Sequence, residues 1–272
     1  MELNGAGVVV TGGGSGIGAA LARRLAGQGA RVVVNDLDAA KAAAVAEELG
    51  AGALAIPGDA ASPEGVETLI AAALGHLGAI DLYCANAGVG GPATLEDEAG
   101  WDLAWNVNVL AHVRAARALL PGWLERGRGH FLATVSAAGL LTMLGAPAYS
   151  VTKHGALGFA EWLSATYGDK GVTVQALCPQ GVRTAMMDAA GKAGELLLVP
   201  SAIEPEDVAD TVIEALDDDR FLILPHPEAA GYYAFRASST DEWLAAMRKM
   251  QAQLDGDSAA EAEAESESAA EG

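Results

Sequence analysis

Short apolar, β-branched runs alternate along the chain with longer Ala/Leu-rich stretches of helical period. Seven runs stand out: residues 7–11 (GVVVT), 31–35 (RVVVN), 53–57 (ALAIP), 80–85 (IDLYCA), 129–136 (GHFLATVS), 172–178 (VTVQALC) and 220–225 (RFLILP). A strand wetted on one face alternates apolar with polar residues, whereas a strand covered on both faces is apolar throughout. These runs are of the second kind, and every run but the last leads into a helical pattern. The pattern predicts an α/β fold, a three-layer doubly wound parallel sheet of about seven strands. Helices are expected over residues 16–28, 38–50, 63–76, 99–120, 149–169 and 205–217. Ser62-Pro63 and Glu204-Pro205-Glu206-Asp207 supply start signals for two of them, the acids favouring the positive helix end. Residues 181–201 form too long a connection between the sixth strand and its helix, which predicts a lid or binding loop.

Composition narrows the class. With 272 residues, 51% hydrophobic, 19% charged and 34 glycines, the chain can bury a sizeable core and turn often, and we expect a single domain over residues 1–254. The 16 basic and 36 acidic residues give a formal charge of −20, which disfavours nucleic acid and anionic membrane surfaces as partners. Residues 255–272 hold seven acids and no base, predicting a disordered acidic tail. The start, MELNGAGVVV, lacks a basic signal-peptide region, and no segment approaches the ~20 apolar residues of a membrane span, so a cytoplasmic location is expected. Cys84 and Cys178 end strand-like runs without CxxC spacing, which predicts buried reduced thiols and no metal site.

The first strand runs into Thr11-Gly12-Gly13-Gly14-Ser15-Gly16-Ile17-Gly18, which opens a helix. Glycines there let backbone approach a ligand, and the helix N-terminus offers N–H groups to a diphosphate. A glycine-rich turn alone could be merely flexible; its place between a first strand and a helix favours a dinucleotide cradle in a Rossmann-like sheet. Asp36 ends the second strand eighteen residues beyond Gly18. A carboxylate there would accept the two adenine-ribose hydroxyls and repel a 2′-phosphate, so NAD(H) is expected. Neither Leu37 nor Ser15 is basic, although a helix cap would also account for an aspartate at 36.

Tyr149 and Lys153 are four apart on a predicted helix and share a face. A phenol near pKa 10 becomes a usable acid–base group when an ammonium stabilises the phenolate. A partly buried tyrosine beside a solvated lysine would produce the same spacing. Ser136, thirteen residues upstream, ends the fifth strand at the carboxyl edge where such folds bind ligands, and the triple is harder to reach by accident. His154 is expected at the surface or an interface. Met186, Met187 and Leu196–Leu198 would line an apolar pocket or pack the lid onto the body.

TGGGSGIG, then NAG at residues 86–88, Ser136 and YSVTK at residues 149–153 together resemble the short-chain dehydrogenase/reductase family over residues 5–225. The resemblance implies that Tyr149 exchanges a proton with the substrate oxygen, Ser136 hydrogen-bonds that oxygen, and Lys153 holds the nicotinamide ribose and tunes Tyr149. It implies a water path supported by Asn108, with Asn106 competing for that role. Cofactor contacts are implied at Gly12, Ser15, Gly16, Ile17, Gly18, Asp36, Asp59, Ala60, Asn86, Gly88, Tyr149, Lys153, Val182 and Thr184. Gln180 follows Pro179 where the family usually has glycine, which leaves the local backbone path open. Pairing of the helices around residues 101–120 and 149–167 into a homodimer or homotetramer is also implied. The function expected is NAD(H)-dependent interconversion of a secondary alcohol and a ketone on a medium-sized, largely apolar substrate. A biosynthetic ketoacyl-type carbonyl reductase and a non-catalytic dinucleotide-binding protein are the alternatives. The GxxxGxG spacing and the length disfavour a sugar-nucleotide epimerase.

Overall fold

The computed structural model describes residues 1–270, with side chains through residue 256. Seven strands form one parallel sheet in the order β3-β2-β1-β4-β5-β6-β7. They are β1 (Gly7–Thr11), β2 (Arg31–Asn35), β3 (Leu54–Ala55), β4 (Leu82–Ala85), β5 (Gly129–Thr134), β6 (Val172–Leu177) and β7 (Leu222–Ile223). Successive side chains point to opposite faces, so the apolar runs feed two cores. Val9, Val33, Phe131 and Val174 face one core, and Val8, Val10, Val32, Val34 and Leu132 the other. Helices α1 (Gly16–Gly27) and α2 (Ala39–Leu49) cover the second face, joined by α9 (Pro205–Asp218). The first face is covered by α3 (Pro63–Leu77), α5 (Ala111–Arg126) and α6 (Pro147–Tyr167).

Local chemistry sets the helix starts. The Ser62 side chain accepts from Gly65 N–H with Pro63 in the first turn, and Asp38 accepts from the N–H groups of Ala40 and Lys41. Glu204 and Asp207 form a capping box on α9.

Four elements depart from expectation. The single helix expected over 99–120 is α4 (Glu98–Trp105), a π turn at Asn106–Leu110 and then α5, which continues past Pro121 to Arg126. Pro121 removes one backbone donor, but the last turn is held by the buried Trp123, whose indole N–H reaches Ile80 O at 2.8 Å, and by Gly127 at φ 64°. The connection 181–201 contains α7 (Ala185–Asp188), α8 (Gly191–Leu197) and a 3-10 turn at Val199–Ser201. Strand β3 keeps two residues of the run 53–57. The last strand is followed by α10 (Glu228–Ser238) and α11 (Thr240–Ala270), which the polar, aromatic-dotted pattern had not suggested. The side chains of the acidic stretch beyond residue 256 lie outside the described residues, although the helical bounds of α11 reach Ala270.

The strand order reverses direction between β1 and β4. In open α/β sheets the crevice beyond the carboxyl ends of two such strands is where ligands bind.

Candidate active site

At the carboxyl end of β1 the chain folds back on itself. Gly12 and Gly16 take φ 61° and 50°, conformations that favour glycine. A Cβ on Gly18 would lie 2.1 Å from Gly12 O, so strand and helix approach as only glycine permits. A Cβ on Gly16 would lie 3.0 Å from Thr184 Cγ2, which places the connection after β6 against the glycine turn. Asp36 receives Gly14 N–H at 3.0 Å and Asp38 N–H at 3.0 Å. Ser15 caps α1 in extended conformation with no side-chain cap hydrogen bond. Ile17 packs on the core of the second face. This cradle of close backbone and outward N–H groups fits the diphosphate of a dinucleotide.

A cation not visible from the neighbours of Asp36 also stands here. A Cβ on Gly14 would meet Lys41 Cβ at 2.8 Å and Asp36 Oδ2 at 2.9 Å, so the first turn of α2 sets Lys41 beside the carboxylate, where it pairs with Asp38 at 3.6 Å.

Asn86 staples the strand ends together. Its backbone N–H donates to Thr11 Oγ1, its amide donates to Thr11 O at 3.0 Å, and its carbonyl accepts from Thr134 Oγ1. Thr11 carries no mark in the motif beyond preceding the glycines, and its role becomes visible in three dimensions. Asp59 is turned into its own loop, accepting from the N–H groups of Ala61 and Ser62. Burial opposes its ionised form, but these donors, the Ser62 hydroxyl and Arg114 outweigh burial and hold the carboxyl below its usual range. Ala60 is buried beside it. Arg114 reaches Ala61 O and also donates to Asn106 Oδ1. Asn106 is therefore tied through Arg114 to the loop after β3.

Asn108 is fully buried in the π turn. Its side chain exchanges hydrogen bonds with Val89 N and O and donates to Thr152 Oγ1 at 3.0 Å. Gly88 leaves room for both partners: a Cβ there would lie 3.2 Å from Asn108 Oδ1 and 3.4 Å from Lys153 Nζ. Lys153 is 2% exposed and donates to Thr134 O at 2.9 Å, with Nζ 5.5 Å from the centre of the Tyr149 ring. Burial lowers its pKa to about 8. Ser136 hydrogen-bonds Tyr149. Its hydroxyl donates to Pro179 O at 3.5 Å, the long limit for such a bond, and accepts from Ala138 N–H at 3.2 Å. Ser136 adopts φ 101° and ψ 151°, a region otherwise reserved for glycine.

The electrostatics differ from the expectation of a phenol drawn down by an ammonium. Burial raises the Tyr149 pKa, and the Ser136 hydrogen bond offsets this only in part. Nζ lies over the ring, turned to Thr134, so in this geometry burial dominates over the charge.

The structure thus gathers Gly12–Gly18, Asp36 and Thr184 at one end and Gly88, Asn108, Ser136, Tyr149 and Lys153 at the other, with Asn86 bridging them through Gly12 O and Thr134 Oγ1. Val182 forms a β-bridge with Ile203 at the base of the connection that carries Thr184. His154 stands aside, its Nδ1–H donated to Ser150 O. Cys84 and Cys178 are buried free thiols. Among the described residues no group of three or more His, Cys, Asp or Glu could hold a metal, and no helix is long and apolar enough to cross a membrane.

Known proteins resemble this chain. A family model of short chain dehydrogenases matches residues 6–194. The 1-deoxy-11-beta-hydroxypentalenate dehydrogenase of Streptomyces exfoliatus is 38% identical over 84% of this chain and 86% of its own. The cyclohexanol dehydrogenase of Acinetobacter sp. is 32% identical over 78% of this chain and 87% of its own. A short chain dehydrogenase/reductase from Burkholderia phymatum, solved in complex with NAD, superposes with a TM-score of 0.82 at 29% identity, covering 89% of this chain and 96% of that one. The chain belongs to the short-chain dehydrogenase family.

Proposed function

We propose that the protein is an NAD(H)-dependent oxidoreductase interconverting a secondary alcohol and a ketone on a medium-sized, largely apolar substrate. The observation that carries this reading is Tyr149 hydrogen-bonded to Ser136 at the carboxyl edge of the sheet, with Lys153 Nζ 5.5 Å from its ring centre. Relatives named for a hydroxypentalenate and for cyclohexanol support a ring-borne hydroxyl as the reacting group. The dinucleotide, when bound, supplies or takes up the hydride.

The chain's own residues do the rest. Tyr149 holds the transferable proton at its hydroxyl, and Ser136 donates to the substrate oxygen. Lys153 turns from Thr134 O toward the ribose, and there its charge favours the phenolate. Asp36, already fixed by Gly14 and Asp38 N–H groups, presents its carboxylate to the ribose hydroxyls. Asn108 supports the water path to Lys153. Residues 181–201 serve as the lid. Exposed Trp105, Val151 and Trp162 on α4 and α6 support pairing into a homodimer or homotetramer, in a cytoplasmic setting.

Lys41 favours a second reading, a carbonyl reductase using NADP(H), because a cation beside Asp36 could meet a 2′-phosphate. Titrating the protein with NADH and NADPH by fluorescence separates the two. The first reading expects at least ~10-fold tighter binding of NADH, together with NAD+-dependent oxidation of alicyclic secondary alcohols such as cyclohexanol. Equal affinities, or no turnover across alicyclic, aliphatic and steroid alcohols, would contradict it.

A further inference from the structure

Gln180, which departs from the usual glycine after Pro179, has a buried partner. Strands β6 and β7 pair Leu177 with Ile223, and Gln180 and His226 each lie three residues beyond that pair, side by side at the carboxyl edge. His226 is 3% exposed. Its Nδ1 accepts Gln180 N–H at 3.1 Å, and its Nε2 lies 3.0 Å from Ser201 O. A backbone N–H can only donate and a carbonyl can only accept, so the two partners fix one neutral tautomer, protonated on Nε2.

These contacts sit at the two ends of one segment. Ile203 N–H donates to Gly181 O and Arg183 N–H to Ile203 O. A Cβ on Gly181 would lie 2.2 Å from Leu198 O, so the returning chain presses on the outgoing one. Between the clamped ends the segment carries Thr184, which rests against Gly16.

The Pro179–Gln180 peptide connects His226 to the catalytic edge. Its N–H goes to His226, while its carbonyl accepts Ala137 N–H at 2.8 Å and faces the Ser136 hydroxyl at 3.5 Å. A peptide group is planar and rigid, so fixing one side fixes the other.

We propose that His226 is a positioning residue: through the Pro179–Gln180 peptide and Ser201 it fixes both the Ser136 turn and the base of segment 181–201, and with them the cofactor-facing Thr184. The link to catalysis rests on the function proposed above, but the clamp itself does not. The charged groups about it are Glu228 on α10, which accepts from the Gln180 side chain, and the Arg183–Glu204 pair at 2.9 Å.

Three variants of the full chain separate the contacts. His226→Asn retains an acceptor for Gln180 N–H, His226→Gln retains a donor for Ser201 O, and His226→Phe retains neither. Amide hydrogen exchange is followed without cofactor, and NADH affinity is measured by fluorescence. His226→Phe should exchange at least ~10-fold faster over residues 180–203 than wild type, with the cores of β1, β4 and β5 unchanged, and its NADH dissociation constant should rise by about 10-fold, as expected for losing buried hydrogen bonds. Should His226→Phe fail to fold, the comparison of Asn with Gln decides: Asn must protect residues 180–183 better. Equal protection in those two, wild-type exchange in His226→Phe, or acceleration spread evenly through the sheet overturns the proposal. A wild type with the expected exchange pattern that binds neither dinucleotide would instead overturn the function reading alone.

Discussion

Around β1 and β2 the site is made of backbone: five glycines between residues 12 and 18 let the chain pack closely, and Asp36 is held by two N–H groups. Around β5, β6 and α6 it is made of side chains drawn from distant segments, with Ser136, Tyr149 and Lys153 joined through Thr134 and Pro179. The first region depends on the absence of atoms. The second depends on burial and on where protons sit. Substitutions should therefore fail differently in the two regions, by sterics in one and by electrostatics or strain in the other.

The largest effect is expected from Gly18→Ala. Its Cβ would meet Gly12 O at 2.1 Å and Asn86 Nδ2 at 2.6 Å, and the backbone oxygen cannot swing aside as the end of a flexible side chain would. A loss of about 3 kcal/mol in stability, at the upper end of the overpacking range, should appear in urea unfolding, with NADH binding weakened in parallel. Wild-type stability and affinity would show that the backbone region is not sterically closed.

Ser136 offers a smaller and more diagnostic effect. Both Ser136→Ala and Ser136→Gly lose the hydroxyl, but φ 101° strains alanine and suits glycine. Glycine normally costs about 0.5–1 kcal/mol relative to alanine, whereas this backbone region costs a non-glycine residue about 1–3 kcal/mol. Ser136→Gly should therefore be the more stable of the two by about 1 kcal/mol while both are inactive. The reverse order would mean that the strand end relaxes and stores no strain.

A still smaller effect comes from buried histidines. His130 is held near pKa 4 and His112 near 3, each lowered chiefly by burial. A depressed folded pKa means that the unfolded chain takes up protons first. Stability should be flat above the unfolded value of about 6.5 and should fall as pH drops from there toward 4 and 3. Thermal melts between pH 7 and 4.5 would show this. His112, whose two ring nitrogens have no partner among the described residues, should give up part of the slope in His112→Leu. An unchanged slope would remove His112 from that account.

The sequence made the backbone region nearly readable, because glycine spacing and a strand-end carboxylate are local signals. The sheet was legible for the same reason, since seven apolar runs cover seven strands. Side-chain convergence was readable at Ser136, Tyr149 and Lys153 because two of the three share a helix face. Thr11, Thr134, Lys41 and His226 escaped notice because each acts across at least two elements, and nothing in their neighbours marks them. The helix past Pro121 was missed because a buried Trp123 outweighs the lost N–H. Spacing places Lys153 on the same face as Tyr149 without saying that Nζ would donate to Thr134 O.

The central claim, that Tyr149 carries the proton of the reaction, is tested by the pH dependence of alcohol oxidation in wild type and Tyr149→Phe. Oxidation needs the phenolate as acceptor, so wild-type kcat should rise with pH through the ionisation of the phenol. The variant should bind NADH normally, lose about 100-fold or more in kcat, and show no such rise. Near-wild-type turnover with the same pH profile in Tyr149→Phe would show that another group moves the proton.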